Sequence, residues 1–208
     1  MVYIVSNTKN NEKNGIYIEK KIVKNLKNKQ KIQHNIDINI ESYKSENEAI
    51  IHFKKSNYEI PIKIKNLIKN YPKHYTHYIT DGSTKDKQLK YTLIIIDESQ
   101  VPIYTQRKII TKIKDKNVAD NLYIELMGSL GALGDAVIND YRDIVIHYDC
   151  KTIEDWTKPR KTKKSEKFKR KYYNYFKNQR KYRNIKFHHI KSHVGNIIDI
   201  ADEYAKIN

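Results

Sequence analysis

Apolar positions in the second part of the chain repeat with two different periods. Three short segments, the first near residue 77, are rich in apolar and β-branched residues, which is typical of strands. A longer stretch follows in which apolar residues recur every three or four positions, the period of a helix packed on one side. The predicted elements are strands at 77–80, 91–96 and 106–112, a helix at 117–138, a strand at 144–148, helices at 151–156 and 165–179, a strand at 185–190 and a helix at 197–207. This order predicts an α/β fold with a mixed five-stranded sheet flanked by helices.

The first part of the chain shows shorter apolar segments. Those at 2–5 and 16–18 predict strands, and the segment at 45–55 predicts a helix whose first residues, Ser45 and then Glu48, have the spacing of a capping box. The polar, basic segment from 54 to 73 contains two prolines, which indicates a boundary. We therefore expect a small α+β module at 1–55, a linker at 56–74 and a main domain at 75–208.

The chain is strongly basic, with 41 Lys and Arg against 24 Asp and Glu and a formal net charge of +17. The charge is unevenly distributed. Residues 1–74 hold 15 basic and 7 acidic residues, 157–183 hold 13 and 1, and 75–156 hold 10 and 13. An excess of positive charge favours a polyanionic partner such as nucleic acid. An acidic segment between two basic ones is the pattern expected of a carboxylate site with basic substrate contacts on either side.

Composition excludes several other classes of protein. No run approaches the ~18 apolar residues needed to cross a bilayer, so we expect no membrane partner. The first ten residues lack the apolar core of a signal peptide, which predicts an intracellular protein that is not secreted. The single cysteine, Cys150, excludes an internal disulfide framework and a cysteine-only zinc site.

Four acidic residues lie where the predicted layout brings distant parts of the chain together. Asp81 follows the first strand in a predicted Asp-Gly turn, Asp149 follows the fourth strand, and Glu125 and Asp202 lie in predicted helices. Mg²⁺ prefers hard oxygen ligands, so clustered carboxylates of this kind could hold it. Taken singly, each acid is better explained as a solvated surface residue.

The sequence around these four acids resembles that of the type 1 ribonuclease H family. The spacings between successive acids, 44, 24 and 53 residues, also suit that family. The resemblance covers residues 75–208. The segments that carry it are 79–83 (ITDGS), 121–126 (NLYIEL) with 130–133 (LGAL), 144–149 (IVIHYD), 189–196 (HIKSHVGN) and 201–205 (ADEYA).

The resemblance implies a ribonuclease H-like fold and hydrolysis of the RNA strand of RNA·DNA hybrids, leaving 5′-phosphate and 3′-hydroxyl ends. It also implies two bound Mg²⁺ ions, with Mn²⁺ as a possible substitute, and a monomeric protein. The residue matching the family's proton-transfer or product-release histidine is His193. The implied catalytic residues are Asp81, Glu125, Asp149, His193 and Asp202, of which the four carboxylates are the implied metal ligands.

The N-terminal part is similar to the viroplasmin-like module that precedes some ribonucleases H and binds RNA·DNA hybrids. The similarity lies in segments 7–17 and 41–53, which include the sequence Gly15-Ile16-Tyr17. The tryptophan that family members have shortly after this tripeptide is absent, because the only tryptophan in the chain is Trp156. We therefore expect a degenerate hybrid-binding module at 1–55.

The segment 157–183 interleaves 13 basic residues with aromatic ones. Phe168, Tyr172, Tyr175 and Phe176 fall at helical spacing, which predicts aromatic side chains turned inward and basic ones turned outward towards phosphates. The predicted nucleic-acid contacts are Ser83, Lys161, Lys163, Lys164, Lys167, Lys169 and Arg170.

Two other functions remain open. One is a DNA junction nuclease on the same fold, because a fold does not fix a function. The other is a non-catalytic protein that binds hybrids or double-stranded nucleic acid. The Asp-Gly-Ser sequence together with the His193 segment argues against the first alternative, and the presence of all four carboxylates argues against the second.

Overall fold

The computed structural model describes residues 1–208 except 7, 9–10, 12, 19, 35–37, 85–87, 110–117, 160–165, 192–196 and 207–208. Within the described residues, eight strands and seven helices follow one another along the chain. The strands are β1 (Val2–Ser6), β2 (Gly15–Tyr17), β3 (Asn39–Tyr43), β4 (Thr76–Ser83), β5 (Leu89–Ile96), β6 (Ile103–Ile109), β7 (Asp143–Tyr148) and β8 (Asn184–His189). The helices are α1 (Lys20–His34), α2 (Glu46–Lys55), α3 (Ile62–Ile68), α4 (Asp120–Ile138), α5 (Thr152–Asp155), α6 (Lys167–Gln179) and α7 (Ile197–Ala205).

The strands form one mixed sheet in the order β3-β1-β2-β6-β5-β4-β7-β8. In its second half, β4, β5 and β6 pair in antiparallel fashion, whereas β7 is parallel to both β4 and β8. The five strands predicted from the periodicity are therefore present and adjacent, and the predicted mixed α/β architecture is confirmed.

The three N-terminal strands extend this sheet, where a small separate module was expected. Strand β2 pairs in parallel with β6, and Ile16 N donates to Pro102 O at 2.9 Å. The buried rings of Tyr17 and Tyr104 stack across this junction with centroids 4.4 Å apart. The pairing covers backbone groups at the start of β6 that would otherwise be exposed along an open edge. A functional division at residue 56 stays a prediction, but the described strands form one continuous sheet.

Part of the predicted linker at 56–74 is helical. Helix α3 begins directly after Pro61, whose φ of −51° suits a helix start, and Ile64 is fully buried in the core. A proline taken from the sequence as a breaker therefore initiates a helix. Helix α1 and strand β3 were also not predicted, because α1 is so rich in lysine that few apolar positions mark its inner side.

Helices cover both faces of the sheet. Helices α2, α4, α5 and α6 pack on one face, and α1, α3 and α7 pack on the other. Strand β5 serves both cores, because Leu93 and Ile95 point to the first face while Ile94 and Ile96 point to the second. The aromatic residues of α6 pack inward, as predicted: Tyr172 and Phe176 are buried, and Phe168 and Tyr175 lie against the same core.

The predicted turn at Asp81-Gly82-Ser83 is wrong. Strand β4 continues through these residues, and Asp81 pairs with Thr92 of β5. The strand continues because β5 starts early enough to supply backbone partners for all three residues. Asp81 is therefore held in the sheet by its pairing with β5 and does not lie in a turn.

None of the described helices combines the length and the apolar character that crossing a lipid bilayer requires.

Candidate metal centre

Strand register places Asp81 and Asp149 side by side. Strands β4 and β7 are parallel neighbours in which Ile79 lies opposite His147. Two residues further along each strand direction come Asp81, still in β4, and Asp149, directly after β7. Both acids therefore lie at the same end of the sheet and on the same face. The predicted position of Asp149 after the fourth strand is confirmed.

Helix α4 supplies the third carboxylate because it approaches β4 unusually closely. A Cβ atom on Gly128 would lie 2.1 Å from Thr80 Oγ1, and one on Gly82 would lie 3.2 Å from the backbone nitrogen of Glu125. Both glycines thus leave room that any larger residue would fill. Glu125, in the second turn of α4, reaches the end of β4 through this contact.

The three carboxylates form a compact group in which Asp81 is buried and Glu125 and Asp149 are partly exposed. Asp81, Glu125 and Asp149 can each offer one oxygen such that all three lie within 4.8 Å of one another. Asp81 is only 4% exposed. Among the described residues, Asp81 Oδ2 and Glu125 Oε2 are buried without a hydrogen-bond partner.

Burial and mutual repulsion raise the pKa values of two of these acids, Asp81 and Glu125. Burial raises the pKa of Asp81 well above its usual range, and the charges of Glu125, Asp149 and Asp202 raise it further. Burial likewise raises the pKa of Glu125, with additional effects from Asp149 and Asp202. The backbone N–H of Gly82 donates a hydrogen bond that lowers both pKa values, but this effect is the smaller one.

A divalent cation fits these residues. Ionised carboxylates can only accept hydrogen bonds, so three of them cannot satisfy one another. The unpartnered oxygens of Asp81 and Glu125 are hard donors at the centre of the group, and hard oxygen donors are the ligands that Mg²⁺ takes. A bound cation would replace the protons and remove the repulsion.

The fourth predicted ligand, Asp202, lies beside this group. Its charge acts on both Asp81 and Glu125, so it faces them from α7. It does not belong to the group of three whose oxygens lie within 4.8 Å. Its Oδ2 instead accepts a hydrogen bond from Lys206 Nζ at 2.5 Å. Three of the four predicted ligands converge, and the fourth is held next to them by a lysine.

A groove opens directly beside the carboxylates. It has a volume of about 380 Å³ and runs between the end of β4 and the first turns of α4. Thr84 Oγ1 donates a hydrogen bond to Asn121 Oδ1 at 3.0 Å across this groove. Its polar lining is Ser83, Thr84, Asn121, Glu125 and Lys206. Of the predicted nucleic-acid contacts, Ser83 lies here.

The other predicted contacts are distributed as follows. Lys167 and Arg170 are exposed on α6, as expected. Lys169 is turned inward: its side chain is 15% exposed, pairs with Glu166 at 2.8 Å and lies 5.3 Å from the centroid of the Trp156 ring. The neighbouring Trp156 and Glu166 account for this inward position. Outside the described residues lie His193, Lys161, Lys163 and Lys164.

Three polar groove residues were not among the predicted site residues: Thr84, Asn121 and Lys206. Asn121 lies one helical turn before Glu125, and Lys206 lies one turn after Asp202. A helical spacing of four residues from each carboxylate is the signal that could have identified both.

The profile of the reverse transcriptase-like family matches residues 80–206, which is more than half of the chain. The chain belongs to this family. The matched region contains Asp81, Glu125, Asp149 and Asp202, so the whole candidate metal centre lies within it. No curated protein sequence matches the chain.

Solved structures with a similar fold include ribonucleases H1. That of the halophilic archaeon Halobacterium salinarum NRC-1 is 14% identical, with a TM-score of 0.47, over 62% of this chain and 93% of that one. LC11-RNase H1, isolated from compost by a metagenomic approach, is 18% identical, with a TM-score of 0.47, over 63% and 92%. A foamy viral protease-reverse transcriptase solved with double-stranded DNA is 14% identical, with a TM-score of 0.40, over 82% and 30%. The mixed sheet of this chain, with helices on both faces, agrees with the predicted ribonuclease H-like fold.

Proposed function

We propose that the chain is a metal-dependent ribonuclease H that hydrolyses the RNA strand of RNA·DNA hybrids. The observation that carries the proposal is the cluster of Asp81, Glu125 and Asp149, in which one oxygen of Asp81 and one of Glu125 are buried without a hydrogen-bond partner among the described residues. Buried, unpaired carboxylates are costly to keep, and a divalent cation is the ligand that would make them favourable. The family match and the four sequence motifs support the same reaction.

Each residue of the centre has a distinct role in the proposal. The converging carboxylates of Asp81, Glu125 and Asp149 would hold the divalent ions. Asp202 would complete the set after leaving Lys206. When bound, two Mg²⁺ ions would supply an activated water and would stabilise the leaving 3′-oxygen, which leads to 5′-phosphate and 3′-hydroxyl ends. His193 stays the predicted group for proton transfer or product release.

The groove would receive the RNA strand next to the carboxylates. Its wall carries the hydroxyl of Ser83 and the amide of Asn121, which are groups able to contact a 2′-hydroxyl. The 2′-hydroxyl is what distinguishes RNA from DNA at such a site. Little sequence preference is expected, since backbone groups are contacted and base edges are not.

Helix α6 would hold the backbone of the hybrid close to this groove. Its first turn lies beside the start of α4, where the rings of Phe168 and Tyr123 are 5.1 Å apart. Lys167 and Arg170 are exposed on this helix and would contact the phosphates of the hybrid. Basic side chains of this kind give sequence-independent affinity that falls steeply with salt.

One cleavage assay separates this function from the alternatives. End-labelled RNA·DNA hybrid, duplex RNA and four-way DNA junctions are incubated with the full chain in Mg²⁺ or EDTA. Cutting of only the RNA strand of the hybrid, and only with Mg²⁺, is the expected result. Junction cutting would indicate a DNA nuclease, and binding without any cutting would indicate a non-catalytic protein; either outcome contradicts the proposal. The ends are checked by ligation, which requires a 5′-phosphate.

A further inference from the structure

Lys206 belongs to none of the motifs that define the centre, yet it touches both the centre and the groove. We propose that Lys206 is a positioning residue: its ammonium group holds Asp202 apart in the metal-free protein and contacts the substrate backbone once Asp202 binds metal. This inference rests on the proposed function, since it requires both a divalent ion and a polyanionic substrate at this site.

The ion pair is the first observation. Lys206 follows Asp202 by four residues at the end of α7, and its Nζ lies 2.5 Å from Asp202 Oδ2. The charge of Asp81 also acts on the Lys206 ammonium, so the amine lies at the edge of the carboxylate group. In the metal-free protein it therefore supplies one of the positive charges that the four acids need.

The ammonium and a divalent ion compete for Asp202. A divalent ion held by Asp202 would bring two positive charges to the carboxylate that the amine contacts, and like charges repel strongly in a partly buried site. Lys206 is half exposed and has a flexible four-carbon stem, so it can move away. Metal binding at Asp202 should thus release the amine.

The released amine would remain at the groove. Lys206 already lines the groove, together with Ser83, Thr84 and Asn121. These three residues are uncharged, so in the described part of the groove lining Lys206 carries the positive charge. A phosphate of the RNA backbone entering the groove would meet this amine. The same side chain would then link occupation of the metal site to retention of the substrate.

The proposal predicts opposite effects on metal and substrate when Lys206 is removed. In Lys206→Met, Asp202 is free, so Mg²⁺ measured by calorimetry without substrate should bind about two- to fivefold more tightly, the range expected from a partly exposed ion pair. The KM for hybrid should rise, and the slope of log KM against log salt should decrease by about one. Lys206→Arg, which keeps the charge, should restore the KM. Lys206→Gln removes the same charge and serves if the methionine variant does not fold.

Lys158→Met is the matched control for the metal measurement. Lys158 also pairs with a carboxylate four residues away, since its Nζ lies 3.1 Å from Glu154 Oε1, but this pair lies outside the centre. Its removal should leave Mg²⁺ affinity unchanged. Unchanged or weaker Mg²⁺ binding in Lys206→Met, or an unchanged KM, overturns the role of Lys206. Absence of Mg²⁺ binding in the wild-type protein would instead overturn the proposed function.

Discussion

Strands β4 and β7 carry two polar clusters on the same face of the sheet, and only one of them has buried polar atoms without a hydrogen-bond partner among the described residues. The carboxylate cluster contains Asp81 and Asp149. The histidine cluster lies further back on the same strands, with His77 four residues before Asp81 and His147 two residues before Asp149. His77 Nδ1 lies 2.9 Å from His147 Nε2, and His147 Nδ1 lies 3.1 Å from His188 Nδ1 of β8.

The two clusters differ because imidazoles can satisfy one another and carboxylates cannot. A neutral imidazole has one donor and one acceptor nitrogen, so three in a row form a continuous chain of hydrogen bonds. Burial lowers the pKa of His77 to about 4 and that of His147 well below its usual value, which keeps both neutral. Carboxylates repel one another and leave oxygens unpaired. Buried groups that can both donate and accept hydrogen bonds stabilise a core. Buried groups that can only accept them, when clustered, indicate a site for a cation.

The largest effect is expected from Asp81→Asn. The rate of cleavage should fall by more than about a hundredfold. Mutation of residues that only contact a metal ligand already reduces metal affinity or activity by about 10- to 100-fold, and Asp81 is itself a proposed ligand. The same variant should raise the melting temperature of the metal-free protein, most strongly at alkaline pH, because it removes one repelling charge. Hybrid cleavage, Mg²⁺ calorimetry and thermal unfolding measure these effects. Asp143→Asn, at the opposite end of β7, is the control and should retain activity; an active Asp81→Asn would contradict the role of the cluster.

His147→Ala should break the other cluster. The fully buried ring loses two hydrogen bonds and leaves a cavity, so the free energy of unfolding should fall by about 2–4 kcal/mol. Mg²⁺ affinity of the folded variant should persist, since His147 is not a ligand. Urea unfolding and calorimetry provide the measurements. His74→Ala, at a histidine that is 63% exposed, should change stability by less than about 0.5 kcal/mol. Similar losses in both variants would mean that the histidine chain adds no stability.

Gly128→Ala should disturb the carboxylate cluster and spare the histidine cluster. The added methyl group would meet Thr80 Oγ1 at 2.1 Å and push α4 away from β4, which should cost about 1–3 kcal/mol and weaken Mg²⁺ binding. Gly134→Ala is the matched control on the same helix. It meets nothing within 4 Å and should stabilise the protein by up to about 1 kcal/mol. Equal effects of the two variants on Mg²⁺ affinity would contradict the close-approach argument.

Per pH unit and group, the smallest effect expected is the pH dependence of the stability of the metal-free protein, in which the two clusters act in opposite directions. The histidines have lowered pKa values in the folded state, so their contribution to stability is present above about pH 6.5 and is lost as the pH falls towards 4. Asp81 and Glu125 have raised pKa values, so their contribution is present in acid and is lost as the pH rises. Urea unfolding from pH 5 to 9 should show both losses, each at most about 1.4 kcal/mol per pH unit and group. Added Mg²⁺ should remove only the loss of stability that accompanies rising pH. If Mg²⁺ leaves that loss unchanged, the metal assignment is contradicted.

Local patterns predicted the elements that have strong periodicity and missed those without it. Helix α4 and the central strand β5 were placed within a few residues, because apolar residues mark their inner sides. Helix α1 was missed because lysine occupies so many of its positions. The continuation of β4 through Ser83 was missed because the residues Asp-Gly-Ser favour turns locally, and the pairing with β5 overrides that preference.

The candidate site was also predicted only in part. Sequence motifs named Asp81, Glu125 and Asp149, and the structure brings these three together. Motifs did not show that Asp202 would be engaged by Lys206, nor that Lys169 would turn inward to Glu166. Both outcomes depend on which oppositely charged side chain lies nearest in the folded chain.

The sequence by itself identified the acidic residues of the candidate site and the strongly periodic elements around them, because helical and strand periods and local motifs are properties of neighbouring residues. Only the tertiary structure decided how far apart those residues are. Parallel pairing of β4 and β7 sets Asp81 beside Asp149, and glycine contacts set Glu125 against them. The same structure decided that the N-terminal strands join the main sheet through β2 and β6. Such contacts link positions far apart in the chain, and no local preference specifies them.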